Sequence, residues 1–252
     1  MFCLFLTLLS CTFCLPTQLF PSDFKVLKSL NVPYLRDQKP YIHCNESGQD
    51  EILSMLSKLD IPNNALHLGW SIEFNYKILC VRRPQFAILC DINRRVFTFF
   101  DLFKTLLLKA ETPHELLEVL KESLKEHKDD FFFARFTNSL SNVMESYTAW
   151  LSDPDNFAYL KTMYVEERII HVVLNAMDED NRFMRLNEWI KSSGYTLDTL
   201  YLSNIGMWVN YEPPFLSNLS QLMDENVIYL DSYRKPGHGL TLRATFGSIP
   251  PP

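Results

Sequence analysis

ALHLGWSIEFNYKILCVRRPQFAILCD, residues Ala65 to Asp91, is the stretch whose reading decides the fold of this chain. Ala65 to Gly69 reads as a strand, and Gly69 opens a turn. Ile72 to Val81 carries apolar residues at helical spacing, and Arg82-Arg83-Pro84 ends that helix. Phe86 to Cys90 is an unbroken apolar run, the mark of a strand buried on both faces in a parallel sheet. Asp91 follows where the second strand ends, 22 residues after Gly69. A strand, a glycine turn, a helix and a strand closing on an acid form the grammar of a nucleotide-binding α/β unit, in which the acid accepts hydrogen bonds from ribose hydroxyls. Trp70, Ser71 and Ile72 stand where a glycine-rich loop would continue, so no phosphate cradle is expected. A nucleoside without a pyrophosphate over the turn is still allowed. The competing reading is a turn glycine and a helix-capping aspartate.

Outward from this unit the alternation continues. Upstream, Phe24 to Leu30 and Glu51 to Leu59 have helical spacing, on either side of a polar, turn-rich approach from Asn31 to Gln49. Downstream, Arg95 to Lys109 carries a wide apolar stripe. Thr112-Pro113-His114-Glu115 is a helix start with an early proline and a glutamate at capping-box spacing. The chain then reads as mainly helical to Glu167. Ile169 to Leu174 and Thr196 to Leu202 are further strands, separated by an amphipathic helix that Gly194 closes. Pro214 to Asp224 reads as helix. Val227 to Asp231 and Leu240 to Phe246 flank a Lys-Pro-Gly-His-Gly hairpin signal. Such alternation predicts an α/β, Rossmann-like fold with a mostly parallel sheet ending in an antiparallel hairpin. One domain over residues 23–247 is expected, with a helical insertion at about 112–150 and a tail at 248–252.

The chain has 252 residues, a formal charge of −6 and 47% hydrophobic content. That suits a globular domain with a full core and argues against a nucleic-acid binder, which needs a basic surface. Arg82-Arg83 and Arg94-Arg95 read as solvated helix ends. Residues 1–22 are apolar and uncharged, interrupted by Pro16 and Pro21. They are signal-like or membrane-associating, and they tilt the expected location toward membrane association or export rather than a freely cytoplasmic protein. Six cysteines without a paired CxxC-His arrangement read as buried thiols rather than a disulfide framework or a metal site, although Cys44 stands in a polar stretch. His67 and His171 interrupt apolar strands, where a hydrogen-bonded core histidine is the expectation, and His238 falls in the hairpin turn. Phe131-Phe132-Phe133 reads as core or a packing face, against contact with lipid or a partner.

Gly69, Glu73, Asn75, Arg83-Pro84, Ala87-Ile88 and Asp91-Ile92-Asn93-Arg94, with Tyr201-Leu202-Ser203-Asn204-Ile205, resemble the pattern of an uncharacterised bacterial family known from a leptospiral hypothetical protein. Asn45-Glu46 resembles a further element of that pattern, and Ser71 replaces its second glycine. The likeness covers roughly residues 40 to 246. That family resembles class I S-adenosylmethionine-dependent methyltransferases in fold, and the antiparallel last strand agrees with it. The resemblance implies S-adenosylmethionine as cofactor and methyl transfer to an unknown small-molecule or protein substrate. It implies Gly69, Glu73, Asn75, Asp91, Ser203 and Asn204 as cofactor-site residues, with Ser203-Asn204 toward the reacting end. The alternatives are that Ser203-Asn204 only caps the next turn, and that the protein is a non-catalytic interaction module on a degenerate fold. Trp70 decides between enzyme and module: a tryptophan filling the cleft above Gly69 would leave no room for a cofactor.

Overall fold

The computed structural model describes residues 23–131, 139–235 and 239–249. The apolar leader, Phe132-Phe133 and His238 lie outside the described residues. In chain order the elements are α1 (Asp23–Ser29), α2 (Gln49–Leu56), β1 (Ala65–Trp70), α3 (Glu73–Arg82), β2 (Phe86–Asp91), α4 (Arg94–Lys109), α5 (Pro113–Glu126), α6 (Leu140–Leu151) and α7 (Pro154–Val165). There follow β3 (Ile169–Val173), α8 (Arg182–Ser192), β4 (Thr196–Tyr201), the single turn α9 (Ile205–Trp208), α10 (Pro213–Ser220), β5 (Ile228–Lys235) and β6 (Gly239–Phe246). Among the described residues no helix is long and apolar enough to cross a membrane.

Six strands form one sheet in the order β3-β2-β1-β4-β5-β6. All neighbours pair in parallel except β6, which runs antiparallel along the whole of β5 from Ile228↔Phe246 to Lys235↔Gly239. Strand side chains alternate between faces, and β2 shows what that does here. Ala87 and Leu89 face one apolar core with α3 to α7, while Phe86, Ile88 and Cys90 face a second with α1, α8 and α10. Burial on both faces is why β2 reads as a continuous apolar run instead of an alternating one. A third cluster, where α2 contributes Ile52 and Leu56, packs against Tyr201, Ile228 and Leu242 at the β5–β6 side.

The helical insertion is not a separate body. Leu116, Leu120 and Leu124 of α5 and Val143, Tyr147 and Trp150 of α6 belong to the same core as α4 and β2. Phe131 is buried there, edge-on to Phe99. Thr112 caps α5 by accepting from the Glu115 amide at 3.2 Å, as its sequence predicts. Cys44, in spite of its polar surroundings, is buried with Cys80 and Cys90, and all three are free thiols, as expected. One expectation is corrected. Arg82 is not a solvated helix end: it is fully buried and bidentate to Asp198 of β4 at 2.9 and 2.5 Å. Its other N–H groups donate to the carbonyls of Leu56, Leu59 and Asp60, so one guanidinium ties α3 to β4 and to the approach to β1.

Candidate functional site

The strand order reverses at β1: β2 and β3 lie to one side of it, β4 and β5 to the other. At such a switch point the turns leaving neighbouring strands diverge and open a crevice at the carboxyl ends of the strands. A cleft of about 930 Å³ lies there. It is lined by the turns after β1 (Ser71, Ile72), β2 (Asp91 to Asn93), β3 (Asn175, Ala176) and β4 (Ser203, Asn204). The polar segment before α2 crosses the mouth and contributes Arg36, His43 and Glu46 among others. That segment is tied down at one end by the bridge of Arg36 to Asn93 and at the other by Ser47 on Thr241 of β6.

The turn after β1 is built from behind. Asn75 on α3 is fully buried, and its Nδ2 donates to the carbonyls of Trp70 and Ser71, both at 2.8 Å. Its Oδ1 faces His67 Nε2 at 2.9 Å, while His67 Nδ1 meets Thr199 Oγ1 at 2.8 Å. Since the amide's orientation is fixed by those two carbonyls, His67 carries its proton on Nε2 and accepts from Thr199. Burial pushes His67 down to about 4, so the ring is neutral. His67 thus has both nitrogens satisfied, as a core histidine does. Gly69 is required by this network: a Cβ there would overlap Asn75 Oδ1 and sit 2.7 Å from His67 Nε2. The glycine admits the Asn75 side chain, and it does not line the cleft.

Ser71 is left-handed, with φ 73°, at the place of the missing glycine. Trp70 borders the cleft without filling it. Its indole is buried, stacks parallel to Phe183 of α8 and donates from Nε1 to Leu174 O at 3.2 Å.

Asp91 ends β2 half-buried on the cleft wall. Its Oδ1 accepts from the amides of Ile92 and Asn93 at 2.8 and 2.9 Å. Burial pushes the carboxyl up to about 6, against those amides, the Ser71 amide and the charge of Arg36, which all favour the anion. Arg36 is exposed, and its guanidinium has no hydrogen-bond partner among the described residues.

Glu73 lies behind the segment that crosses the mouth. It accepts from the Cys44 amide at 2.8 Å and from Ser146 at 2.5 Å, and pairs with His43 and Lys77 at 2.8 and 3.1 Å. Burial alone would raise its carboxyl, but His43, Lys77 and Ser146 hold it below the ordinary value. Its role in the geometry is to hold His43 and Cys44 in place.

The β4 end of the cleft centres on Glu46, which is only 5% exposed. Its Oε1 accepts from Ser203 at 2.7 Å and from Ser232 of β5 at 3.1 Å, and Oε2 accepts from the Cys44 thiol. Burial, then the Glu46 charge, pushes the Cys44 thiol well up, which rules out a ready thiolate nucleophile. The Tyr201 hydroxyl is buried beside this group and makes no hydrogen bond of standard geometry. Ser203 has φ 50°, so a second non-glycine residue at the cleft is held left-handed. Asn204 occupies the cap position of α9 but makes no capping hydrogen bond, and it lines the cleft half-buried.

Trp208 stands on the rim, 74% exposed. Its loop is pinned by Tyr211, whose ring fits against Gly206 and whose hydroxyl donates to buried Asp231 at 3.0 Å beside Arg243.

Of the six residues singled out from sequence, Asp91, Ser203 and Asn204 meet at the cleft, while Gly69, Glu73 and Asn75 form the scaffold behind it. Glu46, Arg36 and Trp208 were not singled out as site residues. Only Glu46 carried a signal, the Asn45-Glu46 element of the resemblance. Among the described residues no group of three metal-ligating side chains occurs. No curated protein sequence matches the chain. The model of a domain of unknown function, DUF7790, matches residues 41–142 and 135–246, which takes in every strand and all four turns of the cleft. The chain therefore belongs to the DUF7790 family.

Proposed function

We propose that this protein is a methyltransferase-like member of the Rossmann-like class that binds S-adenosylmethionine in the cleft and transfers its methyl group to another molecule. The observation that carries the reading is Asp91 at the end of β2, a partly buried carboxylate that lines an open cleft at the sheet's switch point. Oδ1 accepts from two backbone amides and the Ser71 amide also favours the anion, and the acceptor capacity that the carboxylate keeps toward the cleft would take a ribose hydroxyl.

The residues present fit this cofactor. The cleft falls within the roughly 300–1,000 Å³ typical of small-molecule sites. Trp70 leaves it open, and Ser71 keeps the left-handed turn that a glycine would otherwise supply. A nucleoside bound without a phosphate needs no glycine cradle. Arg36 offers an unspent guanidinium to a carboxylate, the other charged end of such a cofactor. When bound, S-adenosylmethionine supplies an electrophilic methyl group on a sulfonium. The chain's own residues then bind the nucleoside at Asp91 and orient an acceptor at Ser203-Asn204. Both serine turns are held left-handed, so the loops at the two ends of the site are already bent before a ligand arrives.

Calorimetric titration with S-adenosylmethionine and S-adenosylhomocysteine tests the reading. Saturable binding that is weakened at least tenfold in Asp91→Ala is expected. No heat and no melting-temperature shift at millimolar ligand would leave the interaction module as the better account.

A further inference from the structure

We propose that the β4 end of the cleft, at Glu46 and Asn204, is a binding site for a primary alkylammonium group. This names a substrate class for the site described above. It rests on the methyl-transfer reading only for what happens to the amine afterwards, and the binding stands or falls without any cofactor.

The carrying observation is an unbalanced charge. Glu46 is nineteen-twentieths buried, yet no cationic group pairs with it among the described residues. The other buried carboxylates among the described residues each have one: Asp198 has Arg82, Asp231 has Arg243, Asp178 has Arg182 and Glu73 has Lys77. A buried charge without a partner is costly, and neutral donors offset only part of that cost. Glu46 has three such donors, two hydroxyls and a thiol. A carboxylate has about four acceptor positions, so one is left, on Oε2.

The surroundings specify what fits. Asn204 adds a carboxamide that has no hydrogen-bond partner among the described residues, and its oxygen can accept a second N–H. An ammonium group brings three donors and one positive charge, which matches a carboxylate oxygen and an amide oxygen with one N–H to spare. Ile205, Trp208 and Val209 line the adjoining wall, so an apolar stem is accommodated behind the charged head. Of the basic side chains lining the cleft, Arg36 and Lys39 come from the start of the crossing segment, where Arg36 faces the Asp91 carboxylate, and His43 is engaged by Glu73. Among the described residues none of them neutralises Glu46, and an amine belongs at that end.

The same head group occurs on free amines and on lysine side chains. The experiment therefore uses n-butylamine, spermidine and Nα-acetyl-lysinamide as probes, with n-butanol as the uncharged control, by ligand-observed NMR on the full chain without cofactor. Ammonium probes are expected to bind at least tenfold tighter than n-butanol, and to lose that advantage in Glu46→Gln, which keeps the acceptor for Ser203 and Ser232. Preference for the lysinamide over the free amines would assign a protein substrate, and the reverse a small molecule. Melting temperature reports whether Glu46→Gln folds. If it does not, Asn204→Leu replaces it, and a loss of at least threefold is expected. Equal binding of butylamine and butanol by the native protein, or amine binding unchanged in the folded variant, overturns the proposal. Failure of S-adenosylmethionine to bind while amines bind at Glu46 would overturn the cofactor reading alone.

Discussion

Replacing Arg82 by methionine should be among the most damaging single changes in this protein. The side chain is fully buried, and each of its five N–H groups has an acceptor: two on Asp198 and three on backbone carbonyls of the α2–β1 connection. Methionine fills much of the volume but leaves the Asp198 carboxylate, 3% exposed, without a counter-charge in the middle of the sheet. Breaking a buried ion pair from one side typically costs about 3–5 kcal/mol. For a chain of this size that corresponds to a fall in melting temperature of roughly 6–20 °C. The discriminating comparison is the double variant Arg82→Met/Asp198→Leu, read by urea unfolding and thermal melting. If the damage comes from the stranded carboxylate, the double variant recovers at least half of the loss. It does not recover all of it, because the carbonyls of Leu56, Leu59 and Asp60 still lack their donor. A single variant that loses less than about 1 kcal/mol, or a double variant no more stable than the single, would refute the reasoning.

Ser71→Gly should raise stability by on the order of 1 kcal/mol, because φ 73° costs a side-chain-bearing residue about 1–2 kcal/mol and part of that returns as glycine's greater unfolded entropy. A lower melting temperature in the variant would show that the serine side chain holds the turn. The pH dependence of stability carries two opposite signs. His67 and His171, pushed down to about 4 and about 3 by burial, bind protons more tightly when unfolded, so they make stability rise as pH increases from about 4 to 6.5. Asp91, pushed up to about 6, binds its proton more tightly when folded, so it makes stability fall between about 4 and 6. Two histidines against one aspartate give a net rise over this window, and Asp91→Asn should steepen it and add on the order of 2 kcal/mol at pH 7, allowing for the partial exposure of Asp91. A flat profile, or a slope unchanged in Asp91→Asn, would contradict this.

Much of the architecture was legible because local signals and burial agree. The run from Phe86 to Cys90 needs apolar side chains on both faces only if the strand is central and parallel, and that is where β2 lies. Thr112 and Gly194 marked a helix start and a helix end, because caps and left-handed glycines act within a few residues. Asp91 could be placed at a strand's carboxyl end by counting along the chain, whereas Ser203 and Asn204 were singled out through the family resemblance; all three line the cleft.

The remainder depended on partners far apart in sequence. Arg82 and Asp198 are 116 residues apart, so nothing local distinguishes a buried guanidinium from a solvated helix end. Gly69 read as a place for a ligand, and only the position of Asn75 shows that the glycine makes room for a side chain of its own fold. Trp70 had two readings, and packing against Phe183 decided it, because alternation along β1 sends its ring to the face opposite His67 and Gly69. Glu46 reaches Ser203 across 157 residues through an irregular segment whose course no periodicity encodes. Periodicity specified the sheet and the place of Asp91 at its carboxyl edge; the Glu46 carboxylate was set there only when the chain came back across it.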